Sequence, residues 1–282
     1  MKTLTFLKDI LPRPASRKIL DANTILNNYC QVNYTTPVEN LKKILHPRFE
    51  PTTIFLPGSD IQQAIISAVV FQEKDFHFTQ MPYLGKYTFN QTNYRCYCID
   101  KETGERTVWF FGTTLDHWSI FVPRNLWRFP WHRAKINFET DLKGHDEQNK
   151  YYEKFRMTAK SQWGPADIHV KDLKRKGEDN DFPGFPNKET ALIYLTHPMS
   201  GHFFLRDRKE KLGCWEIWHE PMNPNIGVFE ENTVNYFGLF ENLGLVTRGQ
   251  KPYNILLQPQ IEYDIYLPPI ESISQNSRYR SS

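Results

Sequence analysis

The sequence predicts a mostly β fold of the α+β kind, with a few short helices covering strands, and three observations predict it. Apolar residues gather in short runs rich in β-branched and aromatic side chains, polar turn residues separate those runs, and only two stretches carry helix start and stop signals. The runs are AIISAVVF (Ala64 to Phe71), YTFNQTNYRCYCI (Tyr87 to Ile99), TVWFFGTTL (Thr107 to Leu115), CWEIWHE (Cys214 to Glu220) and a C-terminal pair, YNILLQ and EYDIYL. DKETGE, with Gly104, joins the second run to the third and predicts an antiparallel hairpin.

The first helix signal is TTPVENLKKIL: Thr36 as N-cap, Pro37 at the first helical position and Glu39 placed to complete a capping box, with Val38, Leu41, Ile44 and Leu45 on one apolar face. The second predicts a helix from Thr233 to Leu243, ended by Gly244, with Val234, Phe237, Phe240 and Leu243 facing inward. The segment KDLKRKGEDNDFPGFP (Lys171 to Pro186) is charged and then rich in proline and glycine, which predicts an exposed, mobile loop. With 282 residues and no internal repeat, the chain reads as one domain over 21–269, flanked by an N-terminal extension (1–20) and a disordered tail (270–282).

Composition excludes several function classes. Hydrophobic residues at 39% and charged residues at 24% suit a packed globule. The net charge of +3 comes without long blocks of one sign, so no nucleic-acid partner is expected. No apolar stretch approaches the roughly 20 residues of a membrane span, and MKTLTFLKDILPRP is too broken for a signal core, so a cytoplasmic protein without a membrane partner is expected. Cys30, Cys96, Cys98 and Cys214 read as reduced thiols, and a lone C-x-C argues for no metal site. No motif for a cofactor occurs, and a homo-oligomer stays open.

The residues that could carry chemistry lie in two places. On the strand from Tyr87, a two-residue period puts Phe89, Gln91, Asn93, Arg95 and Tyr97 on one face. A mid-strand arginine beside amides offers a fork of donors to a carboxylate, although a solvent-facing stripe or an ion pair would look the same. The run from Thr114 to Glu139 holds His117, Trp118, Trp127, Pro130, Trp131 and His132; His132 alone in FPWHRA titrates near neutrality.

The order of VNYTTPVENLKKILHPRFEP, a strand ending in VVF, NYRCY, TVWFFGTTLDHW, RNLWRFPWHRA, IWHEP and a closing YLPP resembles the YqjF-like uncharacterised family of the acetoacetate decarboxylase-like superfamily, over roughly Asp21 to Pro269. The resemblance implies a closed, mostly antiparallel β-barrel with covering helices and a central polar cavity. It also implies a test of mechanism. Acetoacetate decarboxylase forms a Schiff base on a lysine whose pKa an adjacent lysine depresses, and that pair follows a proline. Here Trp131 and His132 stand in its place, and Lys135 further along has no lysine neighbour.

Three readings therefore stay open. One is a module binding a small anionic or carbonyl-containing molecule, lined by Gln91, Asn93, Arg95, His117, Trp131 and His132, without Schiff-base decarboxylation. The second is an enzyme with His132 as catalytic acid or base on a small carbonyl or carboxylic acid substrate. The third is a structural domain without ligand.

Overall fold

In the computed structural model, which describes residues 19–146, 149–198, 200–206 and 208–271, strands dominate. In chain order the elements are β1 (Ala22–Pro37), α1 (Val38–Lys42), β2 (Phe49–Pro51), β3 (Thr53–Phe55), β4 (Gln62–Phe78), β5 (Tyr87–Asp100), β6 (Arg106–Leu115), α2 (Phe121–Leu126), β7 (Trp131–Arg133), β8 (Lys135–Lys143), β9 (Tyr151–Lys160), β10 (Ala166–Lys176), α3 (Lys188–Thr196), β11 (Ser200–Leu205), β12 (Arg208–His219), β13 (Asn225–Phe229), β14 (Tyr236–Phe237), α4 (Gly238–Asn242) and β15 (Asn254–Glu271). Most of the expected 1–20 extension lies outside the described residues, as does the expected 270–282 tail apart from Ile270 and Glu271, which end β15.

Among the described residues the strands β1-β4-β5-β6-β11-β12-β15 form a ring, because β15 pairs with β12 on one edge and with β1 on the other. Every joint is antiparallel except β6 to β11. The length of β15 makes closure possible: its 18 residues serve β1 along one side and both β12 and β13 along the other. From β13 the sheet continues through β10, β9 and β8, and this arm packs Phe155, Met157, Ile168 and Val170 onto the outward faces of β1, β4 and β5, where Val32, Ala68, Val70, Tyr94 and Cys96 are buried. Both faces of β5 are thus covered, one by the arm and one by the ring interior, which explains why neither reads as simply apolar or simply polar.

Several sequence expectations change in the folded chain. Thr36 pairs with Ala64 inside β1, so its side chain does not cap α1; Pro37 takes the N-cap position, and Glu39 instead meets Lys42 Nζ at 3.1 Å. The expected helix over Thr233–Leu243 is strand β14 followed by the five-residue α4, because Tyr236 and Phe237 pair with Asp167 and Ala166. YNILLQ and EYDIYL are one strand rather than two. The charged segment from Lys171 is only in part an exposed loop: it finishes β10 at Lys176, Arg175 forks onto Asp181, and Phe182 is buried in the core. Burying that one ring outweighs the exposed charges around it.

Helix α3, which the sequence analysis did not predict, closes one end of the ring with Ala191 and Leu195 buried among Ile65, Tyr97, Val108 and Leu256. Asn187 starts it, its side-chain oxygen accepting from Thr190 N at 2.8 Å. Asn187→Ala should destabilise the protein by about 1 kcal/mol, the usual worth of an N-cap; urea unfolding at pH 7 would read this, and an unchanged midpoint would show that packing alone holds the helix.

Candidate functional site

The ring interior is polar at the end closed by α3. Arg95 is 6% exposed, and its Nη2 donates to Gln31 Oε1 and to Leu195 O, both at 3.1 Å. Around it Gln31 Nε2 donates to Asn33 Oδ1 (2.9 Å), Tyr97 OH donates to Leu195 O (2.8 Å), and Ser67 Oγ reaches both Asn33 Oδ1 and Tyr97 OH. Leu195 O belongs to the last turn of α3, so the guanidinium faces the negative end of that helix. This partial charge offsets some of the cation. No carboxylate pairs with Arg95 among the described residues, and its Nε is buried without an acceptor.

From Arg95 the inward face of β5 runs Asn93, Gln91, Phe89, and the facing residues of β4 run Ser67, Val69, Phe71, Glu73. Arg95 and Asn93 line a cavity of about 50 Å³ together with Tyr29, Trp215 and Tyr263. Thr113 Oγ1 and Gln91 Nε2 both donate to Asn93 Oδ1, at 2.7 and 2.9 Å, which leaves Gln91 Oε1 buried and unpartnered. Glu73, 5% exposed, also has an unpartnered oxygen, Oε2. Burial pushes its carboxyl up to about 8, against a smaller opposing pull from the Thr24 hydroxyl. Arg95 cannot relieve this, since six residues of strand, about 20 Å, separate their positions in the sheet.

Glu73, Gln91, Trp215 and Ile265 also line a second cavity, of about 190 Å³, whose other walls are aromatic and include Phe76, Phe89, Trp118, Trp127, Phe129 and Trp131. The two spaces therefore meet at these four side chains. In the segment that builds the outer wall, Arg128 holds φ at 58°, and Phe129 and Trp131 stack at 5.0 Å.

The structure brings Gln91, Asn93 and Arg95 to one cavity and Trp131 to the adjoining one, but it scatters the histidines. His117 is in neither lining, its ring stacked on Phe89 at 5.8 Å and its Nδ1 against Ser119. His132 follows Trp131 on β7, so its side chain leaves by the opposite face, where it stacks on Trp163 at 3.9 Å. It lines neither cavity. Burial, with Arg124 and Arg206 adding to it, depresses its pKa to about 4, so the ring is neutral at pH 7. The backbone oxygens of Glu220 and Thr196 lie 2.7 and 2.8 Å from His219 Nδ1 and Nε2 and accept from whichever ring nitrogen carries a hydrogen, and the ring lies beside His197. No cluster of three metal-ligating side chains occurs among the described residues. Lys135 is exposed on β8 across from Lys160, outside the ring.

Sequence reasoning missed Glu73, Gln31 and the carbonyls of α3. For Glu73 a signal existed: extending the strand two residues past Phe71 puts it on the same parity as Val69 and Phe71. For Leu195 O there was none, since a backbone carbonyl has no sequence signature.

A family model described as an uncharacterized conserved protein, DUF2071, matches residues 25–260. The chain belongs to the DUF2071 family. No curated protein matches it. Among solved structures, the enduracididine biosynthesis enzyme MppR with HEPES buffer bound aligns with a TM-score of 0.56 at 12% identity, over 93% of this chain and 91% of that one. MppR complexed with the condensation product of pyruvate and imidazole 4-carboxaldehyde gives 0.54 at 13%, over 90% and 88%. Acetoacetate decarboxylase from Legionella pneumophila subsp. pneumophila str. Philadelphia 1 gives 0.51 at 13%, over 95% of both chains. This DUF2071 protein thus has the acetoacetate decarboxylase-like fold, as its motif order implied, and no helix among its described residues is long and apolar enough to cross a membrane.

Proposed function

We propose that this DUF2071 protein binds a small carboxylic acid in the ring interior, with Arg95 as the anion anchor and Gln91 and Asn93 beside it, and that it does not carry out Schiff-base decarboxylation. The observation that carries this reading is a buried guanidinium whose Nε has no acceptor and which has no carboxylate partner among the described residues. An uncompensated buried charge costs several kcal/mol, so a site that keeps one needs an anion from outside to recover that cost. The imine reaction has no support here: among the described residues no lysine lines either cavity, and Lys135 is exposed. General acid or base catalysis by His132 loses its support for the same geometric reason, since that ring lies against Trp163.

The test is to titrate carboxylic acids at pH 7 while following the thermal midpoint. An acid at a hundred times its Kd stabilises by about 2.7 kcal/mol, which for a chain of this size raises the midpoint by roughly 5 °C or more. Arg95→Ala should abolish the rise; a rise that survives would remove Arg95 from the site, and no rise with any acid would favour a scaffold without ligand. Borohydride reduction in the presence of labelled oxo acids should leave the protein unlabelled, whereas label on Lys135 would restore the imine mechanism.

A further inference from the structure

We propose that the acid taken by this site is elongated and amphipathic: a monocarboxylic acid whose head reaches Arg95, whose apolar body, best a single aromatic ring, fills the second cavity, and which carries a hydroxyl between them. The proposal rests on the reading of Arg95 as anion anchor and adds the substrate class. Three observations support it. The polar and aromatic spaces share Glu73, Gln91, Trp215 and Ile265 as walls, so they adjoin, and a ligand passing between these side chains would occupy both. The aromatic space is about 190 Å³, and an apolar cavity of about 150 Å³ is already enough to hold benzene. A ligand of acetate size would leave that space empty.

The third observation lies at the junction. Gln91 Oε1 and Glu73 Oε2 are both buried and unpartnered among the described residues. Gln91 Oε1 is an amide oxygen and can only accept, while its Nε2 already donates to Asn93 Oδ1. Glu73, kept protonated by burial, has a hydrogen to give. A hydroxyl is the group that answers both, donating to Gln91 and accepting from Glu73. About 13 Å of strand separates the Gln91 and Arg95 backbones, so the hydroxyl and the acid belong to the two ends of a multi-carbon spacer, not to adjacent carbons. The outer rim fits the same ligand: Trp118, 65% exposed, lines the aromatic space and offers an apolar surface at its mouth.

Titration calorimetry on the full-length protein at pH 7 would compare acetate, ω-phenylalkanoates with two to six methylenes, the same acids with one hydroxyl along the spacer, and the matching phenylalkylamines. The best phenylalkanoate should bind at least tenfold more tightly than acetate, as expected for burying one ring. Trp118→Ala should reduce that gain several-fold and leave acetate unchanged; because Trp118 is exposed, the variant should fold. A hydroxyl at the matching carbon should add a further gain that Gln91→Ala removes. Equal binding of acetate and every phenylalkanoate would overturn the proposal while leaving the anion site intact. Gain from the ring with no gain from any hydroxyl position would overturn the junction contact. Amines binding as well as acids, or no binding by any acid, would bring down the Arg95 reading itself.

Discussion

Replacing Glu73 with glutamine should make the protein more stable at pH 9 by about 5 kcal/mol, with the difference shrinking towards zero near pH 4. The reason is a proton. In the unfolded chain Glu73 ionises at the ordinary carboxylate value of 4.5, whereas in the fold burial holds the proton until about 8. Between those values the folded state binds more protons than the unfolded one, so this residue makes stability fall as pH rises from 4.5 to 8 and contributes no further slope above that. Glutamine keeps the shape and polarity and has no proton to lose. Other buried groups shape the wild-type curve as well: His197, His202 and His219 are pushed down to about 2, 4 and 4 by burial, so they stay neutral in the fold and stability rises with pH up to 6.5 on their account. The difference between the wild-type and Glu73→Gln curves isolates Glu73, because the histidines are common to both. Urea unfolding at unit steps from pH 4 to pH 9 would give both curves. Parallel curves would mean that Glu73 ionises normally, and with it the hydroxyl contact at the cavity junction would lose its donor.

Arg95→Met should give the opposite pairing of effects, a more stable protein with no ligand. Methionine is unbranched and apolar, so the substitution removes the uncompensated charge while keeping much of the stem. It also leaves no acceptor stranded: Gln31 Oε1 still accepts from Tyr29 OH at 2.5 Å, and Leu195 O still accepts from Tyr97 OH and Gln31 Nε2. Against this stands the lost contact of the guanidinium with the Tyr97 ring, 5.7 Å away, worth about 1 kcal/mol. The net gain without ligand should be about 2 kcal/mol, or roughly 4–8 °C in thermal midpoint. With a saturating acid the order should reverse, since only the wild type gains from the anion. A variant that is less stable without ligand by 2 kcal/mol or more would mean that the negative end of α3 and the surrounding dipoles already satisfy the cation, so that Arg95 needs no external anion. This trade between stability and binding is what a site that stores an unpaired charge predicts.

Much of the site's wall was legible before folding was considered. A strand turns alternate side chains to opposite sides whatever its neighbours are, so the shared face of Phe89, Gln91, Asn93, Arg95 and Tyr97 follows from spacing alone, and the β5–β6 hairpin follows from a polar turn between two β-rich runs. The same logic separates Trp131 from His132, since neighbours on a strand point apart; only the assumption that the whole FPWHRA string faced one space put His132 with Arg95.

The sequence by itself determined the strand-rich class, the hairpin, and which residues of β5 share a face, because these depend on local periodicity and turn chemistry. Tertiary structure alone decided that β15 closes the ring onto β1, that α3 brings Leu195 O to Arg95, and that Glu73 is buried at the junction of two cavities. Each of these joins residues distant along the chain, Arg95 and Leu195 being separated by 100 positions. Burial and charge balance are properties of such assembled neighbourhoods, so no local pattern could have announced that Arg95 has no carboxylate beside it among the described residues or that burial raises the Glu73 carboxyl.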